Sequence, residues 1–338
     1  MNLLEIRNNA KERMNGFCNL CKECNGVYCS GKVPGIGGTG SGRAMKRSYE
    51  QLSNVKLKLK TIHESTNPNT EYKIFGLRLQ LPLISAPVTG SEINLGGYLS
   101  ESEYCKAVVQ GSMMAGSIAM TGDSGNPQFY IDGLDAIKSE KGHGIAIIKP
   151  RENHKIIENI RKAEQAGALA VGIDIDGAGL VTMALLGQPV GPKSVSDLKE
   201  IINSTKLPVI LKGIMSVEEA QIALEIGAKA IVVSNHGGRI LDDTLSPIEV
   251  LPKISDAVKG KLIILADGSV RNGRDVFKYI AAGADCVLTA RPVTWGAIGG
   301  GSEGVKIYIE QMKNELKQTM ILTGANNITG ITSDMMYL

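Results

Sequence analysis

The chain has 338 residues, 43% of them apolar and 21% charged, an ordinary balance for a globular protein. A formal charge of +3 is too small to argue for nucleic acid or an anionic membrane surface, and 4% aromatic content speaks against base stacking. No apolar run reaches the roughly eighteen residues of a membrane span, and MNLLEIRNNAKERMNGF lacks a signal-peptide core, so the sequence points to a cytoplasmic protein with no nucleic-acid or membrane partner.

Residues 1–80 read as a separate cysteine- and glycine-rich extension, and 81–338 as the main domain. Within the extension, Asn8 to Arg13 is a candidate helix. Lys32 to Met45, KVPGIGGTGSGRAM, has no periodicity and reads as a loop that wraps over something. Tyr49 to Lys60 alternates Val55, Leu57 and Leu59 with lysines, an edge-strand pattern. Tyr72 to Leu79 is its expected hairpin partner, with NPN at 67–69 as the turn signal.

From Leu81 onward, short apolar strands alternate with amphipathic helices. The expected strands are Leu83–Pro87, Gly116–Thr121, Gly144–Pro150, Ala170–Asp176, Pro208–Gly213, Ala230–His236, Leu262–Asp267 and Cys286–Pro292. The expected helices are Ser100–Gln110, Asp132–Lys141, Glu152–Gln165, Ser194–Ser204, Ser216–Glu225, Ser246–Lys259, Arg271–Ala281 and Gly304–Thr319, several opened by a Ser or Asp cap. AEQAGALAVGID, ALEIGAKAIVVS and YIAAGADCVLTA share one plan of helix end, capping glycine and strand, a weak internal repeat. Eight such units in roughly 210 residues fit a (β/α)8 TIM barrel with an N-terminal extension. A doubly wound open sheet is the competitor, and no GxGxxG follows the first strand to support it. Gly177 to Lys193 is a long connection, either a lid over the catalytic edge or a surface excursion.

In a barrel all strand C-termini face one pocket. Here they carry Thr89, Thr121, Lys149, Asp174, Asp176, Lys212, His236, Arg239, Asp267, Arg271 and Arg291. Each charge alone is explained by an ion pair at the rim; their convergence favours a ligand. His236 takes a proton near neutral pH, and Arg239 offers a planar fork for a carboxylate. Gly268 and Ser269 amides, the next helix N-terminus, Arg271 and Arg291 suit a phosphate, which predicts a phosphorylated cofactor or substrate.

LPVILKGIMSVEEA, VVSNHGGRILD, ADGSVRNGRDVFKYIAAGADCVLTARP and GGGSEGV resemble the FMN-dependent α-hydroxy-acid dehydrogenase and oxidase family, which includes glycolate and lactate oxidases. The match is specific over 207–305, weaker over 81–206 and faint before 80. Ile240 replaces a glutamine of the family's SNHGGRQLD, Ser269 replaces a glycine of DGGxRxGxDV, and Ala290-Arg291-Pro292 stands for GRP. The resemblance implies bound FMN and oxidation of a small 2-hydroxy acid to a 2-oxo acid, with an unidentified electron acceptor, in a homo-oligomer. It implies His236 as the base, paired with Asp176, and Lys212 facing the flavin N1 and C2 oxygen. Arg239 and Tyr28 are implied to hold substrate. Thr89, Thr121, Ser234, Asp267, Gly268, Arg271 and Arg291 are implied to line or hold the flavin.

There are departures. Ala146-Ile147-Ile148 stands where the family has its QLY motif, and Asp174 where it has a threonine. Two other readings follow: an FMN-dependent isomerase resembling the type 2 isopentenyl diphosphate isomerases, and a non-enzymatic flavin or metal sensor. The stretch CNLCKECNGVYC places Cys18, Cys21, Cys24 and Cys29 at C-x2-C-x2-C-x4-C, a spacing open to zinc, to an iron–sulfur cluster or to four reduced thiols. The ferredoxin run has three residues and a proline-flanked cysteine at its end, which this stretch does not match.

Overall fold

The computed structural model describes residues 1–180, 183–184 and 186–337. Eight parallel strands form a closed barrel: β1 (Leu83–Ser85), β2 (Ile118–Thr121), β3 (Gly144–Ile148), β4 (Ala170–Asp174), β5 (Val209–Ile214), β6 (Ala230–Val233), β7 (Ile263–Ala266) and β8 (Cys286–Thr289). Each strand pairs with its sequence neighbours, and β8 closes onto β1 through Val287 opposite Leu83. All eight expected strands are present, and the open-sheet alternative is excluded by this closure.

Alternate residues divide two cores. Ile84, Ile118, Met120, Ile145, Ile147, Ile210, Val232, Leu265 and Leu288 fill the barrel interior. Their neighbours Leu83, Ala119, Ile148, Ile173, Leu211, Ile231 and Ile264 face the helices. That parity fixes which strand-end residues look into the mouth.

The helices of the outer ring are well capped. Ser100 and Ser194 form capping boxes with Glu103 and Asp197 at Glu101–Met114 and Val195–Asn203. The last helix runs Arg291–Thr323, with a break at Gly300 and Gly301, so it begins well before the expected Gly304. No helix among the described residues is long and apolar enough to cross a membrane.

The first 80 residues touch the barrel at several places. Helix α1 (Leu3–Arg13) lies against the last helix, and Arg13 Nη1 donates to the Ile298 and Gly299 carbonyls at 2.9 and 3.2 Å. Helix α2 (Arg43–Asn54) starts inside the stretch expected to be loop, and it displaces the edge strand expected over Tyr49–Lys60. Only Lys56–Leu57 pairs, with Met336–Tyr337 at the far end of the chain. Tyr72–Ile74 instead pairs with Leu77–Leu79. That hairpin pushes Ile74 and Leu79 into the interior core and stoppers the barrel floor.

Candidate active site

A cavity of about 560 Å³ opens at the C-terminal mouth, within the usual range for a small-molecule site. Its polar core sits on β4, β5 and the turn after β6. Asp174 is fully buried and accepts from Lys212 Nζ at 2.9 Å and from Lys149 Nζ. His236 Nδ1 lies 3.1 Å from Asp176 Oδ1 and 3.5 Å from Asp174 Oδ1. Gly213 makes this approach possible: at φ +108°, a Cβ there would lie 2.5 Å from the Asp176 Cβ.

His236 itself has φ +56°, a conformation that non-glycine residues seldom hold without local support. Ser234 supplies that support. Its Oγ accepts from the His236 amide at 3.0 Å and donates to Asp267 Oδ2 at 2.9 Å.

The charges are set by burial and pairing. Burial acts to neutralise Lys212, but Asp174, Asp176 and Asp267 outweigh it and hold the ammonium form. Burial likewise acts against the Asp174 carboxylate. His236, Lys149 and Lys212 overcome it and keep the carboxyl well below its usual range. Asp267, with less compensation, is pushed up by burial.

Arg239 reaches the cavity and donates through Nη1 to the Gly35 and Gly37 carbonyls at 2.6 and 2.9 Å. Burial and the nearby Arg291 charge pull it down to about 10, so it stays charged at neutral pH. The glycine-rich strap around Gly35 thus crosses the mouth, as the sequence suggested for a wrapping loop. Arg291 is buried, lines the cavity, and turns its guanidinium to Cys24 Sγ at 2.7 Å and Cys29 Sγ at 3.7 Å.

Of the expected site residues, Thr89, Lys212, His236, Arg239, Asp267, Gly268, Arg271 and Arg291 line this one cavity. Asp176 stands directly behind His236. Three others lie elsewhere. Thr121 is on the outward parity of β2, packed toward Gly133 of the helix Pro127–Ser139. Ser234 is buried beneath His236 and does not line the cavity. Tyr28 is about half exposed, with Lys32 Nζ 4.1 Å above its ring, and borders a second, smaller cavity instead. Lys149 and Asp174 are expected at the pocket-facing strand ends, but the sequence assigns neither a specific role; the structure makes them an ion pair in the polar core. A lysine ending the apolar run GIAII, and two aspartates two apart on β4, were the signals for them.

Of the long connection Gly177–Lys193, residues 181, 182 and 185 lie outside the described residues. Leu180, Met183 and Leu186 give the cavity an apolar wall.

All six cysteines are free thiols. Cys18, Cys21, Cys24 and Cys29 line the smaller cavity together with Arg291. Among the described residues, the one set of three potential ligands within 4.8 Å of one another is Asp174, Asp176 and His236. The four thiols are therefore too spread for a single zinc ion, which corrects the zinc expectation; the Arg291 guanidinium stands between Cys24 and Cys29. Burial pushes the Cys24 thiol up, but Arg271 and Arg291 more than offset it and bring it down to about 7.

One titration is expected to be visible. Glu101 is buried and accepts from the Gly90 and Ser91 amides at 2.9 and 2.8 Å, pinning the loop that carries Thr89. Burial raises it from 4.5 to about 7, against the pull of those amides. The folded state thus holds this proton more tightly than the unfolded chain. Its contribution to stability is complete below pH 4.5 and is lost as pH climbs through about 7. The difference in urea midpoint between Glu101→Gln and the unaltered protein should therefore shift in favour of Gln between acid and pH 8. A pH-independent difference would refute this.

The sequence pattern that defines the FMN-dependent dehydrogenases matches residues 36–184 and 182–338. An L-lactate oxidase of Lactobacillus jensenii is 32% identical over 298 residues, spanning 78% of this chain and 71% of that protein. A 2-hydroxyacid oxidase of Dictyostelium discoideum is 29% identical, over 85% and 80% of the two chains. The crystal structure of a mandelate oxidase superposes with a TM-score of 0.82 at 26% identity, covering 99% of this chain and 97% of that one.

Proposed function

The chain belongs to the FMN-dependent dehydrogenase family, and from that premise we propose that it oxidises a small 2-hydroxy acid to the 2-oxo acid at the mouth of its barrel. The observation that carries the reading is His236. A carboxylate pair grips its Nδ1, and the same cavity holds a charged lysine and an arginine fork.

The residues present fit FMN. Asp267 Oδ1 and Arg271 Nε are buried without a protein partner, and Asp267 and Arg271 both line the cavity. Gly268, at φ +110°, has no room for a Cβ against the Tyr279 hydroxyl and Pro247, so its backbone faces the site closely. Lys212 and Asp267 would hold the ring end, while Gly268, Ser269 and Arg271 would hold the ribityl phosphate end; Arg291 stands in the same wall, with both Nη atoms spent on Cys24, Cys29 and the Ile36 carbonyl. When bound, FMN supplies a two-electron acceptor.

The remaining work falls to this chain's side chains. Both carbonyl bonds of Arg239 use Nη1, which leaves its Nη2 edge for a substrate carboxylate. His236 takes the substrate proton on Nε2. Asp176 and Asp174 hold Nδ1 and so aim Nε2 into the cavity. Ile148, which stands where the family's QLY has its tyrosine, is apolar and faces the helices, so that hydroxyl has no counterpart; Lys149, the next residue and one that lines the mouth, offers a cation there instead. Leu180, Met183 and Leu186 suit an apolar substituent on the substrate. The Gly35–Gly37 strap acts as the roof of this site.

An isomerase or a non-catalytic sensor is not favoured, since the relatives with named activities are oxidases. The test is anaerobic mixing of the FMN-loaded protein with a panel of 2-hydroxy acids. Bleaching of the flavin by at least one, with formation of the 2-oxo acid, is expected. A protein that holds FMN yet is bleached by none contradicts the substrate class.

A further inference from the structure

We propose that Cys18, Cys21, Cys24 and Cys29 together bind an iron–sulfur cluster of the cubane class, seated against Arg291. Four thiols from one twelve-residue stretch line a single small cavity. Their spacing is C-x2-C-x2-C followed by x4-C, and repeated two-residue spacers let a short loop wrap around one cluster. The distances separate this cofactor from zinc. Zn–S bonds of about 2.3 Å in a tetrahedron require sulfurs about 3.8 Å apart. No three of these sulfurs come within 4.8 Å of one another. A cubane instead places each thiolate on a different iron at a separate corner, so its ligands stand farther apart.

The surroundings suit an anionic cluster. Arg291 is buried and presents Nη1 to Cys24 and Nη2 to Cys29, and the Leu20 amide points at Cys18 Sγ at 3.4 Å. Donors aimed at ligand sulfurs, with a buried cation beside them, stabilise a cluster and tune its potential. Arg7 ties the loop down by donating to the Leu20 carbonyl at 2.9 Å and to the Cys21 carbonyl at 3.5 Å. Cys18 and Cys29 are buried, while Cys21 and Cys24 are only partly so, which leaves one side of the site near solvent.

Arg291 forms part of the wall of both cavities, so the cluster lies next door to the flavin site. Its use, unlike its existence, rests on the flavin reading. Oxidising one hydroxy acid releases two electrons and two protons. A cluster carries one electron at a time, so it serves a one-electron-accepting redox protein that is reduced twice per substrate, with both protons leaving to water.

The test uses the full chain, purified without air, loaded with FMN and reconstituted with ferrous iron and sulfide. About four irons and about four acid-labile sulfides per chain are expected, with a paramagnetic signal after dithionite reduction. Cys21→Ala and Cys24→Ala should each lose most of the iron and keep their FMN. One zinc without sulfide overturns the proposal, as does iron no higher than in the Cys18→Ala/Cys21→Ala/Cys24→Ala/Cys29→Ala variant. Should that variant fail to fold, an iron content below about one per chain in the unaltered protein refutes the proposal by itself. Flavin without iron sinks the cluster alone, and iron without flavin sinks the flavin reading alone.

Discussion

Replacing His236 with asparagine lowers kcat by about 10²–10⁴-fold while the protein keeps its flavin. The size follows from the role. The imidazole is the proton-accepting group of the cavity that two carboxylates brace, and its Nδ1 is already engaged by Asp176 at 3.1 Å. Asparagine is close in reach and keeps a hydrogen bond to Asp176, but it cannot take up a proton. The left-handed backbone at this position is one asparagine tolerates well, so the turn survives. Stopped-flow reduction of the flavin is the measurement. If reduction is slowed less than tenfold with FMN content unchanged, the proton leaves by another route. Loss of FMN would show instead that the residue shapes the cofactor site.

The second large effect is on stability. Asp174→Ala should cost about 3–5 kcal/mol, because removing one member of a buried ionic group leaves its partners uncompensated. Here the partners are two lysines. The Lys212 and Lys149 side chains are only 5% and 12% exposed, and both point at this one carboxylate. Thermal unfolding of the FMN-free protein reads the effect without cofactor linkage. The triple variant Asp174→Ala/Lys149→Ala/Lys212→Met should recover much of the loss, since no bare charge remains, yet bind FMN poorly. An Asp174→Ala protein as stable as its parent would show that water already neutralises the lysines.

The eight strands were legible because each is a short branched-apolar run closed by a glycine cap or a charge, and the helix between is amphipathic. The site was legible where parity could be counted from a clear anchor. Lys212 and Asp267 are the inward residues that end apolar runs, and His236 with Arg239 follows β6 directly. Thr121 was misplaced because IAMT offers no polar alternation to reveal which face looks inward. Ser234 lies on the right side but one layer too deep. Tyr28 was sought at the substrate because an aromatic is expected from the extension; the strap that actually arrives there, Val33 to Ile36, has no periodicity to announce it. The alternation in VKLKLK suggested a long strand, but its partner lies at the end of the chain, and helix α2 consumes the residues before Val55. The last helix was cut short for a local reason. The expected helix from Gly304 is the part after the break at Gly300 and Gly301; the turns before it, from Arg291, end on Gly299, which serves contact: a Cβ there would lie 2.1 Å from the Ile6 carbonyl of α1.

The stoppered barrel floor has a kinetic corollary. With the Tyr72–Leu79 hairpin plugging one end, the described residues leave the mouth as the doorway, so incoming acid and outgoing oxo acid take turns at it. An oxidant that has to reach the ring in person joins the same queue, and crowding by excess acid would then slow turnover. An oxidant served through the neighbouring cysteines would not wait in line.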